Sequence, residues 1–316
     1  MASPPDSRLK RRVRQRAIKR RRRFLALGLA LLLAIIVGAI VSLTAPGSKH
    51  AAKTRRSTRP ARPRGPAPLL PGDLLIADRG NNRILLVNEQ KHVLWRYPRP
   101  GQPLAMPFRF DDDAFFADGF TKIISNQEDQ HTIQVFSFPQ GRLLWSYGHV
   151  NVRGSAPGYL NTPDDAYLLP NGLRTVADAY NCRILYLSAA GRIVRQYGAT
   201  GACTHAPPRA FGPVNGGTPL RDGGILVSEI PGSWIDNIGP QGRLRFAVQA
   251  PIAYPSDPQP VGKNRILVAD YTRPGQIIVM TTKGQVVWRY GPRFGPGELD
   301  HPSLALRISK NLIAVN

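Results

Sequence analysis

Three aspartates, Asp112, Asp165 and Asp257, each stand at the entry to a short run of strand-forming residues, at the same point of a pattern that recurs along the chain. Carboxylates brought together from separate segments supply the all-oxygen ligand set that suits Ca²⁺ or Mg²⁺. Crowding also raises the pKa of at least one member, which is what acid–base chemistry near neutral pH requires. A plainer use competes, because an Asp at a strand entry can simply cap free backbone N–H groups. Asn215 or Gly216 and Leu304 occupy the matching points of the other repeats, so the ligand set is partial and Ca²⁺ is the one cofactor to consider.

Other reactive side chains are sparse. Cys182 and Cys203 are the two cysteines of the chain, which excludes a Cys-x-x-Cys metal or redox site. One falls in the turn between the second and third segments of a repeat and the other in the loop leaving its fourth, so an exported domain would join them as a disulfide. The six histidines (His50, His92, His131, His149, His205 and His301) include no pair two or four residues apart. No zinc-protease, serine-hydrolase or phosphate-loop motif occurs, His205 and His301 read as solvated loop residues, and no catalytic residue is assigned. These absences favour a binding role over catalysis.

What must position the aspartates is a repeat. "IADRGNNRILLVN" at 76–88 returns as "VADAYNCRILYLS" at 176–188. Segments ending on an aromatic run recur at Trp95, Trp145, Arg195, Phe246 and Trp288, in steps of 50, 50, 51 and 42 residues. The unit at 164–198 divides into four runs rich in β-branched and aromatic residues, separated by Pro-Asn-Gly, Tyr-Asn and Ala-Ala-Gly turns. Four short strands per period of that length predict an all-β fold, a β-propeller of four-stranded blades with five recognisable units over 73–316. No period contains a helical stretch, which excludes a parallel βαβ fold.

Asp-x-x-Asn-x-Arg then reads as turn architecture. Asp78 and Asp178 are expected to accept backbone N–H groups at a strand end, with Asp270 at the corresponding place of a later unit. Asn81 and Asn181 are expected to take the positive φ, and Arg83 and Arg183 to lay their stems over the neighbouring blade while reaching a carboxylate.

The stretch "IADRGNNRILLVN" resembles the NHL-repeat signature, and 70–316 resembles membrane-anchored bacterial propellers of the NHL and PQQ-like repeat class. The resemblance implies a fold and a binding-scaffold role without an activity. Two units depart from it, placing Glu229 and Gly232 at the Asp and Asn positions in one and Glu128-Asp-Gln-His in the turn of the other. "TPDDAYLLPNG" is similar to a pre-strand segment of arylsulfotransferase-like propellers, but Thr162 and Pro163 stand where those enzymes use histidine. Propellers of the lactonase type use Glu, Asn and Asp on separate strands, a set with no residue-by-residue match here.

The chain closes on "HPSLALRISKNLIAVN", two strands of a partial sixth unit. Clasping by the N-terminal strands would leave one strand surplus, so the expectation is a propeller incomplete at its C terminus.

Ahead of the repeats lie three segments of another kind. Residues 1–23 form a basic tail, with 11 Lys or Arg between Arg8 and Arg23. Residues 24–44, "FLALGLALLLAIIVGAIVSLT", carry no charge over 21 positions, long enough for a helix to cross a hydrocarbon core of about 30 Å. The run is longer than the apolar core of a cleaved signal peptide and ends in the weak site "SLTA", which favours an uncleaved signal anchor. Residues 45–72 are a Pro- and Arg-rich spacer with seven more cations. Tail and spacer carry +17 of the net +23, so the basicity speaks for anionic lipid and not for nucleic acid. The denser cationic flank predicts a cytoplasmic N terminus and a single-pass protein with its propeller outside the cell. Expected partners are the membrane and a protein or anionic cell-envelope polymer.

Overall fold

Strands form here because apolar β-branched runs are interrupted by residues that accept left-handed backbone. In the third repeat Asn171-Gly172 closes the first hairpin, with Gly172 at φ +81° and the Leu173 N–H donating to Asn171 Oδ1 at 3.0 Å. A one-turn 3₁₀ segment, Ala179–Asn181, closes the second and ends on Cys182 at φ 57°. The same device recurs at Arg79–Asn81 with Asn82 and at Glu128–Gln130 with His131. The left-handed residue is thus Asn82 or Cys182, one position after the expected Asn81 and Asn181. Those two asparagines lie inside the 3₁₀ turn, where their side-chain amides donate to Asp78 and Asp178 at 2.8 Å.

The computed structural model describes residues 72–316, which fold as an all-β, five-bladed propeller. Blade 1 comprises Leu74–Asp78 (β1), Arg83–Val87 (β2) and Val93–Tyr97 (β3), a three-stranded sheet among the described residues. Four-stranded antiparallel sheets follow. Blade 2 is Asp111–Ala117 (β4), Lys122–Gln127 (β5), Thr132–Ser137 (β6) and Leu143–Gly148 (β7). Blade 3 is Pro163–Leu168 (β8), Arg174–Asp178 (β9), Arg183–Leu187 (β10) and Ile193–Tyr197 (β11). Blade 4 is Val214–Pro219 (β12), Ile225–Glu229 (β13), Trp234–Ile238 (β14) and Leu244–Gln249 (β15). Blade 5 is Pro255–Pro260 (β16), Arg265–Asp270 (β17), Gln276–Thr281 (β18) and Val286–Tyr290 (β19).

The expected partial sixth blade is a hairpin instead. Ala305–Ser309 (β20) and Leu312–Val315 (β21) pair with each other alone among the described residues. Beside blade 5 they leave a groove of about 820 Å³ lined by Val279, Trp288, Tyr290, Ile313 and Val315, among others. Residues 1–23, 24–44 and 45–71, the predicted tail, anchor and most of the spacer, lie outside the described residues. Among the described residues no helix is long and apolar enough to cross a membrane.

Apolar layers between consecutive blades hold the ring. Ile84, Trp95 and Tyr97 meet Phe108, Ile123 and Phe136 between blades 1 and 2, and Val176 and Leu185 meet Ile124 and Ile133 between blades 2 and 3. Comparable layers lie between blades 3 and 4 and between blades 4 and 5. Each fully buried side chain of this kind contributes roughly 1.5–3 kcal/mol, so the blades cohere by their faces. The repeated aromatic run serves the same joint. The indole N–H of Trp95 donates to Pro139 O of blade 2 at 2.7 Å, and the Arg195 guanidinium, in the matching place, donates to Pro240 O of blade 4 at 3.3 Å.

Candidate functional site

The innermost strands of blades 2 to 5 share a defect in register. Pairing breaks between Asp111 and Ala114, Pro163 and Ala166, Val214 and Gly217, and Ser256 and Gln259, each time with one residue too many on the inner strand. Such a bulge locally abandons the two-residue alternation and re-aims the side chains within it. Asp113, Asp165 and Asp257 lie in these bulges, and their carboxylate oxygens converge to within 4.8 Å of one another. Three blades therefore deliver one carboxylate each to a single point, where the residues are 4%, 0% and 2% exposed.

Blade 4 contributes a glycine to the same ring. Gly216 has φ +137°, and a Cβ there would stand 3.0 Å from Asp257 Oδ1 and 2.9 Å from Ser228 Oγ. A side chain at 216 would enter the space the carboxylates share.

The member from blade 2 is Asp113 and not the expected Asp112. Register explains the correction: Ala114 corresponds to Ala166, so Asp113 corresponds to Asp165 and Asp112 to Asp164. Asp112 is engaged elsewhere, its Oδ1 accepting from Arg79 Nη1 at 2.6 Å, while the same guanidinium reaches Glu128 and, at 3.1 Å, Asp129. This cation from the turn of blade 1 ties blades 1 and 2 together outside the three-carboxylate ring.

Electrostatics make the ring unusual. Burial, reinforced by neighbouring carboxylates, pushes Asp113, Asp164 and Asp257 well above the ordinary carboxylate range. Burial raises Asp165 to about 6, restrained by the Gly217 N–H that its Oδ2 accepts at 2.8 Å and by a hydrogen bond shared with Asp257. Asp111, whose two oxygens are buried without a partner, is pushed by burial to about 7. Oδ1 of Asp165 and Oδ1 of Asp257 likewise meet no hydrogen-bond donor. Such orphaned buried oxygens are costly, and protonation or a cation relieves them. The plainer expectation of simple backbone caps covers Asp165 Oδ2 alone. Chemically the ring can hold a hard divalent cation through oxygen ligands.

The residues assigned to turn architecture fall at one register point in every blade. Asp78 pairs with Arg83, Gln127 with Thr132, Asp178 with Arg183, Glu229 with Trp234 and Asp270 with Gln276. Arg83 Nε and Arg183 Nε donate to Asp78 and Asp178 at 2.6 and 2.7 Å, so each arginine serves its own turn and does not cross to the next blade to find a carboxylate. Asp270 accepts from the Tyr254 N–H at 2.9 Å and from Gln276 Nε2 at 2.8 Å. Cys182 and Cys203 form a disulfide, anchoring the loop between β11 and β12 to the turn of blade 3.

His205, read as solvated, is instead built in. Its ring stacks on Trp234 with centroids 3.9 Å apart, and its Nδ1 lies 2.8 Å from Glu229 Oε1. The sequence signal was available in the departure of blade 4 from the repeat, where Trp234 replaces the arginine that would neutralise the turn carboxylate. His301 remains a surface residue, 2.6 Å from Asp300 Oδ1.

No family model matches the sequence, and no curated protein matches it. Solved structures match by shape. A protein of unknown function from Bacteroides caccae aligns at TM-score 0.52 and 20% identity, over 75% of this chain and 79% of its own. A streptogramin B lyase aligns at 0.52 and 18%, over 74% and 68%. A catalytically inactive virginiamycin B lyase from Staphylococcus aureus, solved with quinupristin, aligns at 0.52 and 14%, over 74% and 70%. At such identities the likeness is one of fold.

Proposed function

We propose that this chain is a membrane-anchored binding propeller that holds a divalent cation, Ca²⁺ in the first instance, through Asp113, Asp165 and Asp257, and presents it to an anionic ligand. The convergence of those three buried carboxylates from three blades carries the reading. An all-oxygen cluster with orphaned oxygens suits Ca²⁺ or Mg²⁺, and a cation so held supplies the charge that an acidic polymer or protein would meet. Residues 24–44 serve as the single-pass anchor, 1–23 as the cytoplasmic tail and 45–72 as the spacer that carries the propeller on the outer side. Support for that placement comes from the uncharged 21-residue run, its cationic flanks and a disulfide that belongs to an oxidising compartment. The Asp-x-x-Asn-x-Arg turn supports placing the blades in the NHL and PQQ-like repeat class.

A second reading, an enzyme, draws on one observation: two of the similar folds belong to lyases. The raised Asp165, at about 6, is poised for proton transfer in such a role.

Calorimetric titration of the full chain with Ca²⁺ tests the proposal. Binding is expected, with its loss in Asp165→Ala and its retention in Asp112→Asn. Absence of heat, or equal binding by Asp165→Ala, would refute it.

A further inference from the structure

A second cluster stands apart from the ring. Glu229 ends β13 and Asp236 lies in β14, both fully buried, while His205 comes from the loop that the disulfide restrains. Their ligand atoms lie within 4.8 Å of one another. Glu229 Oε2 accepts the Gly212 N–H, which fixes the carboxylate, and Oε1 faces His205 Nδ1 at 2.8 Å. Neither oxygen of Asp236 is reached by any N–H or hydroxyl, although the residue is 0% exposed. Burial, reinforced by the Glu229 carboxylate beside it, pushes Asp236 up to about 9.

We infer that His205, Glu229 and Asp236 form a binding site for a transition-metal ion of the zinc type, distinct from the oxygen-ligated ring at the axis.

One imidazole and two carboxylates are the donor types that Zn²⁺ accepts, and three protein ligands leave its fourth position open to water or a ligand. Zinc bonds of about 2.0–2.2 Å in a tetrahedron set neighbouring donor atoms roughly 3.3 Å apart. The 2.8 Å between His205 Nδ1 and Glu229 Oε1 needs an opening of a few tenths of an ångström, and His205 sits on a loop that can supply it. Rotation of Asp236 brings in the third oxygen, with its proton released to solvent on binding. Stacking on Trp234 holds the imidazole plane fixed. His205 is the exposed member, its side chain one quarter accessible, so the ion would enter from that side.

The metals themselves, Zn²⁺ and Co²⁺, are the probes. Full-length protein in detergent, stripped with chelator, is titrated with Zn²⁺ by calorimetry and with Co²⁺ by visible absorption. The expected result is one equivalent bound and the intense visible bands of four-coordinate Co²⁺. Both are lost in His205→Ala and in Asp236→Asn and kept in Asp165→Ala, which separates this site from the axial ring. Should Asp236→Asn fail to fold, His205→Ala, on a surface loop, decides. Titrations without heat or visible bands, or unchanged in His205→Ala, overturn the inference.

Discussion

Blades 3 and 4 build the same turn with opposite chemistry. At the closing register point blade 3 has Asp178 beside Arg183, both buried, and the guanidinium together with Asn181 answers the carboxylate. Blade 4 has Glu229 beside Trp234 there, and must recruit His205 and Asp236 from further off. Where the Asp–Arg pair is kept, the residues serve architecture; in blade 4, where Trp234 takes the place of the arginine, the turn carboxylate lacks a cation of its own turn. Blade 1 adds the effect of burial. Asp78–Arg83 repeats the contact of Asp178–Arg183 at 2.6 against 2.7 Å, but its side chains are 23% and 31% exposed against 0% and 2%. Burial holds Asp178 above the ordinary carboxylate value despite its arginine, whereas at Asp78 the slighter burial is outweighed by Asn81 and Arg83, and the pKa falls.

The sharpest break in that comparison comes from Arg183→Ala. It strands a buried carboxylate and should cost about 3–5 kcal/mol, read as a fall in the denaturation midpoint. A loss below about 1 kcal/mol would mean that water reaches Asp178 and the contrast with blade 1 is empty. Next in size is the disulfide, which closes a 21-residue separation between the turn of blade 3 and the loop carrying His205. Cys182→Ser with Cys203→Ser should cost about 3 kcal/mol on a chain-entropy account.

Acidity gives a graded test. Asp165, Asp111 and Asp236 have folded pKa values raised from 3.8 to about 6, about 7 and about 9. The folded state therefore keeps protons that the unfolded chain has released, and stability declines as pH rises from about 4 through each of these values. Within its window each such proton accounts for about 1.4 kcal/mol per pH unit. Thermal melts in chelator should show a lower midpoint at pH 8 than at pH 5, and added Ca²⁺ should flatten the slope. A midpoint that climbs over that range contradicts the raised acidities of these buried carboxyls. The smallest expected effect is that of Arg83→Ala, which breaks a partly exposed pair worth about 0–1 kcal/mol. Equal losses at Arg83 and Arg183 would remove burial as the cause of the difference.

Much of this was legible in the amino-acid order. Recurrence of "RILLV" and "RILYL" after Asp-x-x-Asn-x fixes a strand, a turn and a partner strand locally, so the blades and their closing turns follow from short-range chemistry. The pairing of Cys182 with Cys203 was readable too, because the blade pattern places both connections on one face. That His205 belongs to a buried cluster was not, since its partners lie 24 and 31 positions away and only packing of the loop on β13 and β14 brings them together.

The axial ring marks the boundary. Sequence alone established that carboxylates recur at the strand entries of three of the repeats. It could not choose between Asp112 and Asp113, because side chains of a regular strand alternate faces and a single extra residue reverses the assignment. The bulge that makes the choice is a property of pairing between each inner strand and its neighbour, and only the packing of separate blades brings the chosen carboxylates to one point.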